Sequence, residues 1–114
     1  MKWLHGRFKY AFSGLRYALR DKSIAFQLFL GLLAFLAGIV LRCSKVEWLW
    51  IGLAIVLVVG FEIMNSCIEN VVDYISLERD PRAKKIKDMA ASAVFLVSVF
   101  ALFVGFVIFF PKIF

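Results

Sequence analysis

Length, composition and charge exclude an ordinary soluble protein. The chain has 114 residues, of which 63% are hydrophobic and 19% charged, and its net charge at pH 7 is +6. Soluble domains are roughly half apolar and a quarter charged, and a domain this small could not hide the excess inside a core. The basic charges lie beside long apolar runs, so we expect contact with anionic lipid headgroups and no nucleic acid partner.

The first segment, residues 1-22, combines basic residues with a regular apolar pattern. Its apolar residues recur at intervals of three or four positions, which places them on one face of a helix. The residues of this face are Leu4, Phe8, Phe12, Leu15 and Leu19. A basic amphipathic helix of this type lies in the membrane interface. We therefore predict an N-terminal amphipathic interfacial helix.

Three stretches poor in charge follow, and each is long enough to cross a bilayer, which takes about 20 helical residues. They predict transmembrane helices at 23-42, 47-75 and 86-111. The segment from Ser76 to Arg82 contains Asp80-Pro81 and is the predicted break between the last two helices, because a residue before proline avoids helical geometry. The predicted fold class is an all-α membrane protein, with the whole chain, residues 1-114, forming one domain.

The distribution of lysine and arginine predicts the orientation of these helices. Six lie in the N-terminal segment, two in the loop after the first transmembrane helix, five between Arg79 and Lys87, and one in the C-terminal tail. Because positively charged loops stay in the cytoplasm, we expect the N-terminus and the second loop there. The C-terminus is expected on the outer side.

The second predicted transmembrane helix carries a stripe of ionisable and amide residues. Glu62, Asn65, Glu69 and Asp73 are spaced by three or four positions, so at about 100° per residue they share one helical face. Such groups on an otherwise apolar helix need partners, water or a ligand. We call these four residues the polar stripe.

Lys87 and Asp88 lie at the start of the third predicted transmembrane helix. That helix returns from the same side of the membrane, so we expect them at the level of Glu69 and Asp73. Carboxylate oxygens bind Mg²⁺, a lysine can neutralise phosphate charge, and the deeper Glu62 could accept a proton from a lipid hydroxyl. From the residues alone, three interpretations stay open: polar contacts between helices, an ion or proton pathway, and an enzyme at the membrane surface.

Two motifs in this region resemble those of the small prokaryotic diacylglycerol kinase and undecaprenol kinase family. Residues 62–73 are similar to the signature E-x-x-N-[ST]-x-I-E-x-x-V-D, and residues 83–91 are similar to A-K-x-x-K-D-x-A-A. The segments Glu47-Trp48 and Phe110-Pro111-Lys112 also resemble Gram-positive members. The resemblance covers nearly the whole chain.

This resemblance implies a lipid kinase of the bacterial plasma membrane, built as a homotrimer with active sites shared between subunits. It implies ATP as co-substrate, Mg²⁺ as cofactor and a membrane lipid as the acceptor. The expected acceptor is undecaprenol, which would become undecaprenyl phosphate. The alternatives are a diacylglycerol kinase making phosphatidic acid and a non-catalytic three-helix membrane subunit.

The same resemblance gives each site residue an expected role. Glu62 matches the general base, Glu69 and Asp21 match metal ligands, and Asp73 matches a supporting position. The expected nucleotide-binding residues are Asn65, Glu69, Lys87, Asp88 and Tyr10.

Asp21 is the position where the chain departs from the family pattern. The family has a metal-binding glutamate, in a pattern like E-R-N, before its first membrane helix. An ungapped alignment puts Lys22 at this position, whereas a one-residue gap puts Asp21 there. We favour Asp21, because acidic, basic, polar and apolar residues then follow in the family's order. Its side chain is one methylene shorter than that of glutamate.

Overall fold

A computed structural model describes residues 2–75 and 80–114, and within these ranges the chain folds into α-helices joined by short turns. The helices are α1 (Lys2–Ala18), α2 (Lys22–Val40), α3 (Lys45–Ile75) and α4 (Pro81–Ile113). Of these, α2, α3 and α4 are long and apolar enough to cross a membrane. The predicted all-α membrane fold, with one additional N-terminal helix, is confirmed.

Side chains at the helix starts explain where α2 and α3 begin. The Asp21 carboxylate accepts hydrogen bonds from the backbone N–H groups of Ser23 and Ile24, and so caps α2. At α3, the Ser44 N–H donates to the Glu47 carboxylate over 2.9 Å, and the Glu47 N–H donates to the Ser44 hydroxyl over 3.2 Å. This reciprocal pair is a capping box, and it starts α3 at Lys45, slightly before the predicted residue 47.

The start of α4 differs more from the prediction, which began the last transmembrane helix at residue 86. The Asp80 side chain accepts from the Arg82 N–H, and Pro81 is the first helical residue. Proline suits this position because its missing N–H would have no helical partner there. Pro81 and Arg82 therefore belong to α4 and not to a break. The remainder of the predicted break, residues 76–79, lies outside the described residues.

The helix α3 occupies the centre of the bundle. It packs along α4 and, over a shorter length, against α2, whereas α2 and α4 barely touch. The buried core between α3 and α4 consists of Ile51, Ala54, Val104 and Ile108. Most other apolar side chains of the three long helices are exposed, as expected where the surrounding solvent is lipid.

The helix α1 is almost entirely exposed, and Ala18 is its buried residue. Its aromatic side chains, such as Trp3, Phe8 and Phe12, lie on the surface beside its basic residues. An exposed apolar face next to positive charge matches the predicted interfacial helix, because such a helix buries that face among lipid headgroups.

The ends of α3 and α4 remote from the polar stripe are joined by an ion pair. The Lys112 ammonium lies 3.0 Å from the Glu47 carboxylate, and both side chains are about one-quarter exposed, at 25% and 28%. Glu47 therefore satisfies both its own helix terminus and a charge near the end of α4. The pair adds a contact between these antiparallel helices, whose packing rests mainly on the buried apolar core.

The α2–α3 contact depends on the absence of a side chain at Gly38. A Cβ at this position would lie 2.7 Å from the Trp48 ring, closer than atoms can approach without a shift. Trp48 also packs on Phe35, with ring centroids 5.3 Å apart. Glycine thus lets α2 lie directly against this tryptophan, as small residues commonly do between membrane helices.

Replacing Gly38 with alanine should destabilise the fold, because the Trp48 ring would have to move. Overpacking of this kind costs roughly 1–3 kcal/mol, measurable as the free energy of unfolding by SDS in mixed micelles. Gly52→Ala is the matched control, since a Cβ there meets nothing within 4 Å. Equal stability of the two variants would contradict this account of the contact.

Candidate active site

Two members of the polar stripe are buried in α3. Glu62 is 8% exposed and Asn65 is 9% exposed, whereas Glu69 and Asp73 are exposed. The Asn65 amide nitrogen donates a hydrogen bond of 3.1 Å to the Glu69 carboxylate, one turn along the helix. The buried amide oxygen of Asn65 has no partner within the described residues. A buried acceptor without a donor is costly. Binding a ligand, a cation or water at this oxygen would remove that cost.

The junction between α1 and α2 contacts α3 beside the stripe, through Asp21. The Ser66 hydroxyl on α3 donates a hydrogen bond of 2.6 Å to Asp21 Oδ2, while Asp21 Oδ1 caps α2. The Ser66 hydroxyl, helped by the N–H groups of Ser23 and Ile24, holds the pKa of the Asp21 carboxyl below its ordinary value. Asp21 is therefore a carboxylate at neutral pH.

Asp21 and Lys22 differ in their contacts with α3. Asp21 contacts α3 through Ser66, whereas the neighbouring Lys22 begins α2 and is exposed. That Asp21, and not Lys22, occupies the family's glutamate position stays a prediction; Asp21 is the residue of this pair whose hydrogen bond to α3 the structure describes. The contact also brings an acidic group from outside the stripe close to its buried end.

The resulting site consists of oxygen donors. Glu62 shares its face of α3 with Glu69 and with Ser66, the residue that binds Asp21, and the free Asn65 oxygen lies on the same helical face. Within residues 2–75 and 80–114, no three acidic, histidine or cysteine side chains are already gathered around one point. Mg²⁺ is commonly held by one or two carboxylates together with water and phosphate oxygens, and the Asp21 and Glu69 carboxylates with the free Asn65 oxygen are donors of that type.

The start of α4 contributes a cation to the exposed end of the stripe. The Lys87 ammonium forms an ion pair with the Asp73 carboxylate across the α3–α4 contact. Asp88, in contrast, pairs with Lys84 one turn back on α4, at 2.6 Å. The expected cluster is therefore divided: Lys87 joins the stripe, and Asp88 faces its own helix within this chain.

Tyr10 is the remaining residue expected to bind nucleotide. It lies on α1 and is 75% exposed, and the described contacts do not join it to α3. The single chain thus brings together the residues at the α2–α3 contact, whereas Tyr10 and Asp88 are exposed and have no described contact with the stripe.

Ser66, which joins Asp21 to α3, occupies the Ser/Thr position of the first motif, but the sequence alone assigns it no role. Its signal was present, because Ser66 follows Glu62 by one helical turn and so lies on the same face. A serine in an apolar membrane helix does not by itself indicate a contact with another helix, since it can satisfy its hydroxyl on its own helix. Only the position of Asp21 reveals its partner.

A comparison with protein families identifies the chain. The family model described as prokaryotic diacylglycerol kinase matches residues 9–109. The chain belongs to this family of membrane lipid kinases. The resemblance of the two motifs in 62–73 and 83–91 is therefore confirmed at the level of the family.

Curated relatives carry two kinds of name. An undecaprenol kinase of Bacillus subtilis is 37% identical over 78 residues, which is 68% of this chain and 63% of that protein. A diacylglycerol kinase of Helicobacter pylori is 35% identical over 96 residues, covering 83% of this chain and 75% of the relative. A diacylglycerol kinase of Haemophilus influenzae is 29% identical, covering 77% and 75%. No solved structure matches the chain.

Exchanging the charges of Asp73 and Lys87 should restore what each single reversal loses. Asp73→Lys and Lys87→Asp each place like charges together, whereas the double variant rebuilds the pair. Because the side chains are 57% and 38% exposed, we expect changes in the free energy of unfolding of roughly 0.2–1 kcal/mol. Lys85→Asp, on the same turn of α4, is the control. A double variant as unstable as the sum of the singles would argue against the contact.

Proposed function

We propose that this chain transfers the γ-phosphoryl group of ATP to the hydroxyl group of a membrane lipid. The observation that carries the proposal is the buried Glu62 beside Asn65, on the face of α3 that Asp21 approaches. Membership of the prokaryotic diacylglycerol kinase family supports the reaction class. The site lies toward one end of a membrane-spanning helix, where a lipid headgroup and a water-soluble nucleotide can meet.

In this proposal Glu62 is the general base. Its carboxylate accepts the proton from the lipid hydroxyl as the oxygen of that hydroxyl attacks the γ-phosphorus, and the bond from phosphorus to the ADP oxygen breaks. The products are a lipid phosphate and ADP. Burial suits this role, because water is kept from competing with the lipid hydroxyl for the phosphoryl group. General bases of this kind contribute roughly 10²–10⁴-fold to the rate.

The remaining oxygen donors hold the nucleotide and its metal. Asp21 and Glu69 are the proposed Mg²⁺ ligands, and the free Asn65 oxygen adds a neutral donor. When bound, Mg²⁺ neutralises charge on the phosphates. Lys87 adds a positive charge for the same purpose, and Asp73 keeps the Lys87 ammonium beside α3.

Asp88 and Tyr10 complete the proposed nucleotide site from a different direction. Since both are exposed and lie apart from the stripe within one chain, we propose a homotrimer in which neighbouring subunits supply them. The exposed apolar surfaces of the three long helices leave room for such contacts. The proposed topology has the N-terminus and the ATP site on the cytoplasmic side of the bacterial plasma membrane and the C-terminus outside.

Undecaprenol is the proposed acceptor, with undecaprenyl phosphate as product. The name of the Bacillus subtilis relative supports this choice. Diacylglycerol, giving phosphatidic acid, is the second candidate, supported by the names of the Helicobacter and Haemophilus relatives. Both acceptors present a hydroxyl attached to long apolar chains, so the same base and metal site serves either.

Glu62→Gln should abolish lipid phosphorylation while leaving the fold intact. The expected loss in kcat is roughly 10²–10⁴-fold, because the amide cannot accept the proton. Transfer of labelled phosphate from ATP to lipid, with purified protein in micelles containing Mg²⁺, measures it. Glu47→Gln is the matched control, since it makes the same change at the far end of α3. A Glu62→Gln variant as active as the parent would refute the assigned base.

Competition between acceptors should decide the substrate. With undecaprenol and diacylglycerol present together at equal mole fraction in micelles, we expect undecaprenyl phosphate to form faster than phosphatidic acid. Chromatographic separation of the two labelled products gives the ratio of kcat/KM directly. A ratio favouring phosphatidic acid would reverse the substrate assignment but leave the phosphoryl transfer in place.

A further inference from the structure

The two oxygens of the Asp21 carboxylate serve different neighbours. Oδ1 accepts from the N–H of Ser23 over 2.9 Å and from the N–H of Ile24 over 3.4 Å, which caps α2. Oδ2 accepts from the Ser66 hydroxyl over 2.6 Å. A carboxylate has about four acceptor positions, so these three bonds leave capacity for one further ligand.

Ser66 determines which way the unused acceptor position of the Asp21 carboxylate points. The cap fixes Asp21 relative to α2 alone, whereas the Ser66 bond fixes it relative to α3, the helix that carries Glu62, Asn65 and Glu69. Ser66 lies one turn from Glu62 and within one turn of Glu69, on the same face of α3. Oδ2 is therefore held at the stripe by a side chain from the stripe's own helix.

Because the side chain of aspartate is short, Asp21 depends on Ser66 to orient its second oxygen. Aspartate is among the preferred N-cap residues because its carboxylate reaches back to the first N–H groups of the helix. An aspartate committed to the cap has little freedom to reach toward another helix. A donor on the other helix is then needed to keep its second oxygen turned toward the site.

We infer that Ser66 is a positioning residue, which holds Asp21 Oδ2 toward the polar stripe so that Asp21 can share a divalent cation with Glu69. The inference rests on the proposed function, since it concerns the metal of that site. Ser66 itself does not touch the reacting atoms. It acts on the site as residues behind metal ligands generally do, by orienting the ligand and tuning its charge.

Mn²⁺ binding tests the inference without depending on activity. Mn²⁺ is titrated into purified protein in micelles with a non-hydrolysable ATP analogue, and free Mn²⁺ is followed by electron paramagnetic resonance. Ser66→Ala should weaken Mn²⁺ binding roughly tenfold or more, and Ser66→Thr, which keeps the hydroxyl, should stay within about twofold of the parent. Cys67→Ala, at the adjacent exposed position, is the control and should bind as the parent does.

A double variant separates positioning from a general loss of structure. Asp21→Asn keeps a cap-forming side chain but removes the charge that Ser66 orients. If Ser66 acts through Asp21, the double variant Asp21→Asn/Ser66→Ala should bind Mn²⁺ no more weakly than Asp21→Asn alone. Additive losses, or Ser66→Ala binding as tightly as the parent, would overturn the inference, and so would a parent protein that binds no Mn²⁺.

The kinase assay distinguishes this inference from the proposed function. Ser66→Ala should raise the Mg²⁺ concentration needed for half-maximal rate roughly tenfold, while the KM for lipid stays unchanged. A parent protein that binds Mn²⁺ but phosphorylates no lipid alcohol would refute the proposed function. The role of Ser66 would then be decided by the Mn²⁺ titrations of its variants. A parent that phosphorylates lipid, with Ser66→Ala unchanged in both assays, would refute the inference alone.

Discussion

The cost of burying a carboxylate and an amide in a membrane helix constrains the rest of this structure. Glu62 and Asn65 are the buried polar residues of the described chain, and in hydrocarbon each would cost several kcal/mol without a partner. The fold offsets part of this cost at Asn65, whose amide nitrogen has an acceptor one turn along α3. At Glu62 the neighbouring acidic groups add like charge, which does not lower the cost of its burial. Glu69 accepts from the Asn65 amide, and Ser66 draws the charged Asp21 to the same face.

The hydrophobic pattern alone was enough to predict most of the fold. Three apolar stretches predicted α2, α3 and α4, because only a helix satisfies its own backbone inside lipid. The predicted helix boundaries were less accurate where a capping side chain, and not the hydrophobic pattern, determines where a helix begins. Asp80 and Pro81 form an N-cap and first turn, so α4 begins earlier than its apolar stretch. Helix caps depend on single side-chain hydrogen bonds, which hydropathy does not register.

The sequence predicts which site residues share a face of one helix, but not which residues of different helices meet. Spacing along one helix fixes which residues share a face, so Glu62, Asn65 and Glu69 were found together. Spacing cannot say which side chain on another helix meets that face, and this is why the Ser66–Asp21 bond was missed. It also cannot choose between neighbours: Lys87 turns to Asp73, whereas Asp88, one residue further, turns to Lys84.

The two ends of α3 show how polar groups for structure differ from those for chemistry. At the start of the helix, Ser44, Glu47 and Lys112 satisfy one another in a capping box and an ion pair. Toward the other end, the Asn65 oxygen stays buried and unpartnered within the described residues, next to a buried Glu62. A helix built for stability alone would carry apolar residues at positions 62 and 65, or would give their polar groups partners. Keeping a buried acceptor free costs stability, and a ligand that donates to it or coordinates it recovers that cost on binding.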